Sequence, residues 1–209
     1  MNTASSRDSR VLKGHRWRVA LLYTLALGLG IGSAWLALRL HTQAGGVAVG
    51  AWRTTALAGS TGAGMATRAA VALGGLLALS REETVYYTAR VDSGGQVLRS
   101  RCSYRVSGQP PAARWWSVTA YAEDLFLFAQ TQGRYSLNGD SAPLDAGGRF
   151  AFVTGPDTPK ESVGDLPWLP TPGDRGLVLT LRLYNPAPLL VGSPGALVPP
   201  VIEMLGVCA

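Results

Sequence analysis

Two histidines, two cysteines and thirteen acidic residues are what this chain offers for general chemistry. His15 lies in a basic N-terminal stretch and His41 just after an apolar run, so residues 81–209 hold none. A Ser-His-Asp triad, a Cys-His dyad or a histidine-rich zinc site cannot be built there. Ser103, Ser117 and Ser136 then read as ordinary strand or turn residues. Of the carboxylates, Glu82/Glu83, Glu123/Asp124 and the spread Asp157, Glu161, Asp165 are the candidates for chemistry. Two carboxyls about 5–9 Å apart can hydrolyse a glycoside, but sequence spacing places no two of these together. Their spacing also fits no calcium-loop signature. Gly59-Ser60-Thr61-Gly62-Ala63-Gly64 lacks the Lys-Ser/Thr ending of a phosphate loop and reads as linker. No metal or cofactor is indicated. What remains is an aromatic and basic set in the C-terminal half.

Composition bounds the architecture that must position these groups. The 209 residues are 47% hydrophobic and 15% charged, too apolar for a disordered chain. Val19–Leu38 is an uncharged apolar run, long enough as a helix to cross about 30 Å of hydrocarbon. Trp17 and Trp35 lie near its ends, where amphipathic rings suit the headgroup zone. Arg7, Arg10, Lys13, Arg16 and Arg18 face a single Asp8 in the first 18 residues. Most of the overall +6 charge therefore sits there. By the positive-inside rule the N-terminus is cytoplasmic and the rest of the chain is exported. A cleaved signal peptide has a shorter apolar core, about 7–15 residues, and a small-x-small site. This run is longer and ends in Trp35, Leu36, Leu38 and Arg39, so it reads as an uncleaved anchor. With that tail set aside, no basic stripe remains for nucleic acid.

Residues 40–64 are rich in Gly, Ala, Ser and Thr and read as linker. Met65–Leu79 is Ala- and Leu-rich and reads as a helix weakened by Gly74-Gly75. From Arg81 the pattern is that of strands: Thr84–Val91, Gln96–Arg99, Trp115–Ala122, Phe150–Thr154 and Leu177–Tyr184. Leu177, Leu179, Leu181 and Leu183 share one face of the last, with Val178, Thr180, Arg182 and Tyr184 on the other. Asp92-Ser93-Gly94-Gly95 and Asp145-Ala146-Gly147-Gly148 are turn signals. Pro186, Pro188, Pro194, Pro199 and Pro200 make the C-terminal stretch read as irregular.

The ordered series YYTARVDSGGQ, RCSYRV, RWWSVTAYA, GRYSL, DAGGRFAF, PWLPTP, LVLTLRLYNP and VPPVIEML resembles the C-terminal domain of the domain of unknown function 1214 family. The likeness is to its short, membrane-anchored, Gram-negative form and runs from about residue 80 to the end. It implies a mainly β fold: an antiparallel β-sandwich or jelly-roll-like domain, preceded by one N-terminal transmembrane helix and a short helical segment. The division is 1–18 basic cytoplasmic tail, 19–38 transmembrane helix, 39–80 linker with short helix, and 81–209 periplasmic β-sandwich. The membrane is then the bacterial inner membrane, met as a lipid bilayer through residues 19–38. The family brings no established activity. Its short members keep a cysteine at both positions seen here. Together with the oxidising compartment this implies a Cys102–Cys208 disulfide, worth on the order of 4–5 kcal/mol before strain.

The aromatic and basic residues Trp116, Tyr121, Arg134, Tyr135, Trp168, Arg182 and Tyr184 are the candidate ligand groove. Trp, Tyr and Arg on one sheet face suit sugar rings or an aromatic partner. Adjacent Trp115 and Trp116 face opposite sides of a regular strand, so one is core and the other covers a second surface. Against the groove stands a core whose Tyr and Arg are merely satisfied by hydrogen bonds. Three functional readings follow. The first is a non-catalytic module binding an envelope glycan, a lipid-like ligand or a protein partner. The second is a carboxylate-dependent hydrolase, and the third a structural or assembly factor.

Overall fold

The computed structural model describes residues 5–44, 46–54, 62–73, 79–158, 164–206 and 208. Two compact units divide the chain at Ala44/Gly45.

The first unit is α1 (Ser5–Ala44). No proline interrupts it, so the helix runs unbroken through the basic tail, where charge alone marked a boundary at residue 18. Its Arg16–Leu40 stretch is long and apolar enough to cross a membrane. Thr24 Oγ1 donates to the Ala20 carbonyl and Ser33 Oγ to that of Gly30. The two hydroxyls are thus satisfied inside the helix, as a hydrocarbon environment demands. Arg39 folds back over the Trp35 ring, 4.8 Å from its centroid. A helix of this kind near the N-terminus fits a membrane anchor and a signal sequence alike.

The second unit is mainly β, with two sheets around one core. The strands are β1 (Val47–Val49), β2 (Trp52–Thr54), β3 (Thr84–Ala89), β4 (Tyr104–Gly108), β5 (Ala113–Ala122), β6 (Ser136–Asn138), β7 (Phe150–Gly155), β8 (Trp168–Pro170), β9 (Leu177–Pro186) and β10 (Val201–Met204). The six-stranded sheet has the order β1-β2-β3-β9-β5-β6, and the four-stranded sheet β10-β4-β7-β8. All pairings are antiparallel except β7 with β8.

Period-two alternation explains the core. The six-stranded sheet turns Val85, Tyr87 and Ala89, Leu177, Leu179, Leu181 and Leu183, and Trp116, Val118, Ala120 and Ala122 inward. The four-stranded sheet answers with Tyr104, Val106, Phe150, Phe152, Leu169 and Ile202. Trp116 and Phe150 meet across the two layers with ring centroids 4.6 Å apart. The two Asp-x-Gly-Gly turns are built alike. Asp92 Oδ1 accepts from the amides of Gly94 and Gln96, and Asp145 Oδ1 from those of Gly147 and Arg149. Gly95 and Gly148 take φ of +84° and +72°, a region that favours glycine. Gln96–Arg99 forms only isolated bridges, Val91 to Val97 and Arg99 to Gly176, although Leu98 is buried.

Two stretches differ from the sequence reading. Residues 40–64, read as linker, contain the β1–β2 hairpin, which extends the six-stranded sheet beyond β3. Trp52 is fully buried and its Nε1 donates to the Pro200 carbonyl at 2.7 Å. A stretch made mostly of small, uncharged residues hid one large core side chain. The proline-rich end, read as irregular, forms α3 (Pro188–Gly192), a 3-10 turn (Pro194–Ala196) and β10. Its carbonyls serve the core, since Pro194 accepts from the buried Tyr87 hydroxyl at 2.9 Å. The helix read over Met65–Leu79 is α2 (Met65–Leu73), and Gly74-Gly75 lie outside the described residues. Cys102 and Cys208 are joined by a disulfide, with Cα atoms 5.0 Å apart. It ties the segment after β10 to the turn before β4, where Leu205 also donates to the Ser103 carbonyl.

Candidate functional site: the outer face of the six-stranded sheet

The three central strands set the outer face by register. Trp115 on β5 lies beside Tyr184 on β9, which lies beside Thr84 on β3. The next outward row is Ser117, Arg182 and Tyr86, and the next is Thr119, Thr180 and Thr88. Tyr121 beside Val178 follows. Aromatic, basic and hydroxyl side chains therefore alternate with the core residues of the same strands.

This face is packed. Thr84, Thr180 and Val178 retain only 2%, 3% and 1% of their surface, and Ser117 and Thr119 are also buried. Half-buried Trp115, Tyr184, Tyr86, Arg182 and Tyr121 stand among them. The four-stranded sheet differs: Arg105, Val201 and Glu203 on its outside are exposed.

Arg182 is the centre of the cluster. Its Nη1 donates to Thr119 Oγ1 at 3.0 Å and its Nη2 to Tyr121 Oη at 2.7 Å. The guanidinium carbon lies 5.3 Å from the Tyr121 ring centroid and 5.9 Å from that of Tyr86, within cation–π range. Burial pushes the Tyr86 phenol above its ordinary value, with the nearby Tyr184 adding to the rise and Arg182 opposing it. The Tyr86 ring is therefore a neutral aromatic face at ordinary pH. Trp115 stands at the rim, its ring 5.1 Å from Tyr184 and its Nε1 donating to Asp140 Oδ2 at 2.8 Å.

Of the residues read as a groove, Tyr121, Arg182 and Tyr184 come together here. Trp116 does not: it is 4% exposed and faces Phe150 in the core, so Trp115 is the outward member of the pair. Trp168 belongs to β8 in the other sheet and donates to the Gly155 carbonyl. Arg134 and Tyr135 precede β6, Arg134 exposed and Tyr135 half-buried, with the Tyr135 carbonyl accepting from the Ala120 amide. Tyr86 and Thr119 complete the cluster and were not singled out from sequence. Alternation was the available signal. Trp116, Val118, Ala120 and Ala122 are an apolar series, and Trp115, Ser117, Thr119 and Tyr121 the complementary one.

The carboxylates are dispersed. Asp124 is exposed and pairs with Arg175, whose hydrogen bond holds its carboxyl below the usual range. Glu82, also exposed, is held low by hydrogen bonds from its own backbone and from Ser80. Glu83, Glu123, Asp157 and Asp165 are exposed, and Glu161 lies outside the described residues. No group of three or more metal-binding side chains converges among the described residues. The glycine stretch at 59–64 is described only from Gly62 onward.

Comparison with known proteins bears on the fold and the family. A solved structure, the VPA0106 protein from Vibrio parahaemolyticus, is 22% identical and superposes with a TM-score of 0.56 over 68% of this chain and 35% of its own. An uncharacterized protein from Burkholderia cenocepacia is 19% identical, with a TM-score of 0.36 over 59% of this chain and 29% of its own. The chain thus spans about a third of the length of these solved proteins. No curated protein matches it. The model of a family described as "Protein of unknown function (DUF1214)" matches residues 83–188, which include every residue of the Arg182 cluster. On that match, the chain belongs to the DUF1214 family.

Proposed function

We propose that the β domain is a non-catalytic binding module and that the outer face of its six-stranded sheet takes a glycan. One observation carries this reading. Tyr86, Tyr121, Tyr184 and Trp115 stand around Arg182 on a single sheet face. Aromatic faces stack on the apolar faces of sugar rings, while phenol, indole and guanidinium groups meet hydroxyls. The module is held at the bacterial inner membrane by residues 19–38, with the N-terminus cytoplasmic and the β domain periplasmic. The one-sided basic tail, the apolar helix and the disulfide support that placement.

The test is binding by the full chain in nonionic micelles, titrated with neutral and uronic-acid oligosaccharides. Tyr86→Ala and Tyr121→Ala each weaken binding about tenfold, as expected for loss of a stacking ring. Trp168→Ala leaves it unchanged. The reading fails if no oligosaccharide binds, or if Trp168→Ala costs as much as the tyrosine changes. A reporter fused at the C-terminus tests orientation: it is active on the exported side, and activity on the cytoplasmic side overturns the placement.

A further inference from the structure

We infer that Arg182 is the seat for an acidic group on that glycan, a carboxylate or a phosphate. The inference rests on the glycan reading above and names the ligand's chemical class. Arg182 is half-buried in the middle of its sheet, on the strand flanked by β3 and β5. Its two hydrogen bonds go to hydroxyls, and its flanking faces are aromatic rings. The ion pairs among the described residues lie elsewhere, Arg101 with Asp174 and Arg175 with Asp124. A partly desolvated cation with no counter-charge among the described residues is costly, and an arriving anion relieves that cost.

The geometry suits such a ligand. A guanidinium has five N–H donors in a planar fork, and Thr119 and Tyr121 accept from two. These two anchors fix the fork before any ligand arrives, so little side-chain freedom is lost on binding. Tyr121 Oη accepts from Arg182, which leaves its own proton to donate to an anionic oxygen. One oxygen of a carboxylate or phosphate can then meet the guanidinium and another the phenol. The rings of Tyr86 and Tyr121 flank the sugar that carries it.

The experiment uses the full chain in nonionic micelles with three probes: a uronic-acid oligosaccharide, its carboxyl-reduced neutral counterpart, and inorganic phosphate. The acidic sugar binds at least about tenfold more tightly than the neutral one, and its affinity alone falls with added salt. Competition by inorganic phosphate supports a seat that accepts either anion. Arg182→Gln brings the two sugars to equal affinity. Arg182→Lys keeps the charge but not the fork and recovers only part of the preference. Because Arg182→Gln also removes two internal hydrogen bonds, the salt dependence of the unaltered protein serves as a variant-free measure. Equal, salt-insensitive binding of both sugars overturns the anion seat and leaves the glycan reading standing. Binding of phosphate that Arg182→Gln abolishes, without binding of either sugar, supports the seat and overturns the glycan reading. Absence of binding by all three probes overturns both.

Discussion

The register partner of Arg182 on β5 is Ser117, yet its guanidinium donates to Tyr121, four residues further along that strand. The side chain thus lies along the sheet, passing Thr119 and pinning three successive outward rows into one unit. A unit of this kind has a measurable coupling. A double-mutant cycle of Arg182→Ala with Tyr121→Ala gives an interaction of about 1 kcal/mol or more, the sum expected of one hydrogen bond and one cation–π contact. Tyr121→Phe keeps the ring and retains part of it. Additive stability changes in denaturant titrations would show that the two residues do not act together.

Trp52 sits in a stretch whose composition resembles a linker, yet it is fully buried and bonded to Pro200. Trp52→Ala costs about 3–5 kcal/mol of stability, the range for a deleted core aromatic. Trp115→Ala, at the rim of the outer face, costs clearly less. A cost below about 1 kcal/mol for Trp52→Ala would place the β1–β2 hairpin outside the cooperative domain.

The disulfide closes a sequence separation of 106 residues. Reduction, or Cys208→Ser, lowers stability by about 4–5 kcal/mol in the loop-entropy model and frees β10 to exchange first. Denatured, unreduced protein shows no free thiol in a thiol titration; two free thiols would contradict the pairing.

Burial pushes the Tyr87 phenol up to about 12. Its hydroxyl is fully inside and donates to Pro194. Burial also raises Tyr104 and Tyr86. The folded state favours the neutral phenol, so this stability is present below pH 10, the ordinary phenol value, and is lost as pH rises towards about 12. For Tyr87 the loss is roughly 2–3 kcal/mol across that window. Tyr87→Phe flattens the slope of denaturant midpoint against pH between about 10 and 12. An unchanged slope would show that Tyr87 does not contribute to it.

Where chain pattern and local geometry coincide, the sequence is readable. The leucine alternation of β9 and the two Asp-x-Gly-Gly turns appear in the structure with the expected faces and positions. The site is harder to read because it depends on register between distant strands. Tyr86 joins Arg182 only through the β3–β9 pairing, which separates the two by nearly a hundred residues. Trp115 and Trp116 are indistinguishable by type, and only the series each belongs to assigns one to the core. The β1–β2 hairpin is hidden for another reason: its strands are three residues each, too short for alternation to show.

Hydroxyl-radical footprinting of the full chain in nonionic micelles, with and without the uronic-acid oligosaccharide, tests the outer-face site most directly. Tyr86, Tyr121, Tyr184 and Trp115 should lose reactivity together on binding, while Trp168 on the other sheet and exposed Phe126 keep theirs. Protection of Trp168 with no change at Tyr86 and Tyr121 would contradict the outer-face site.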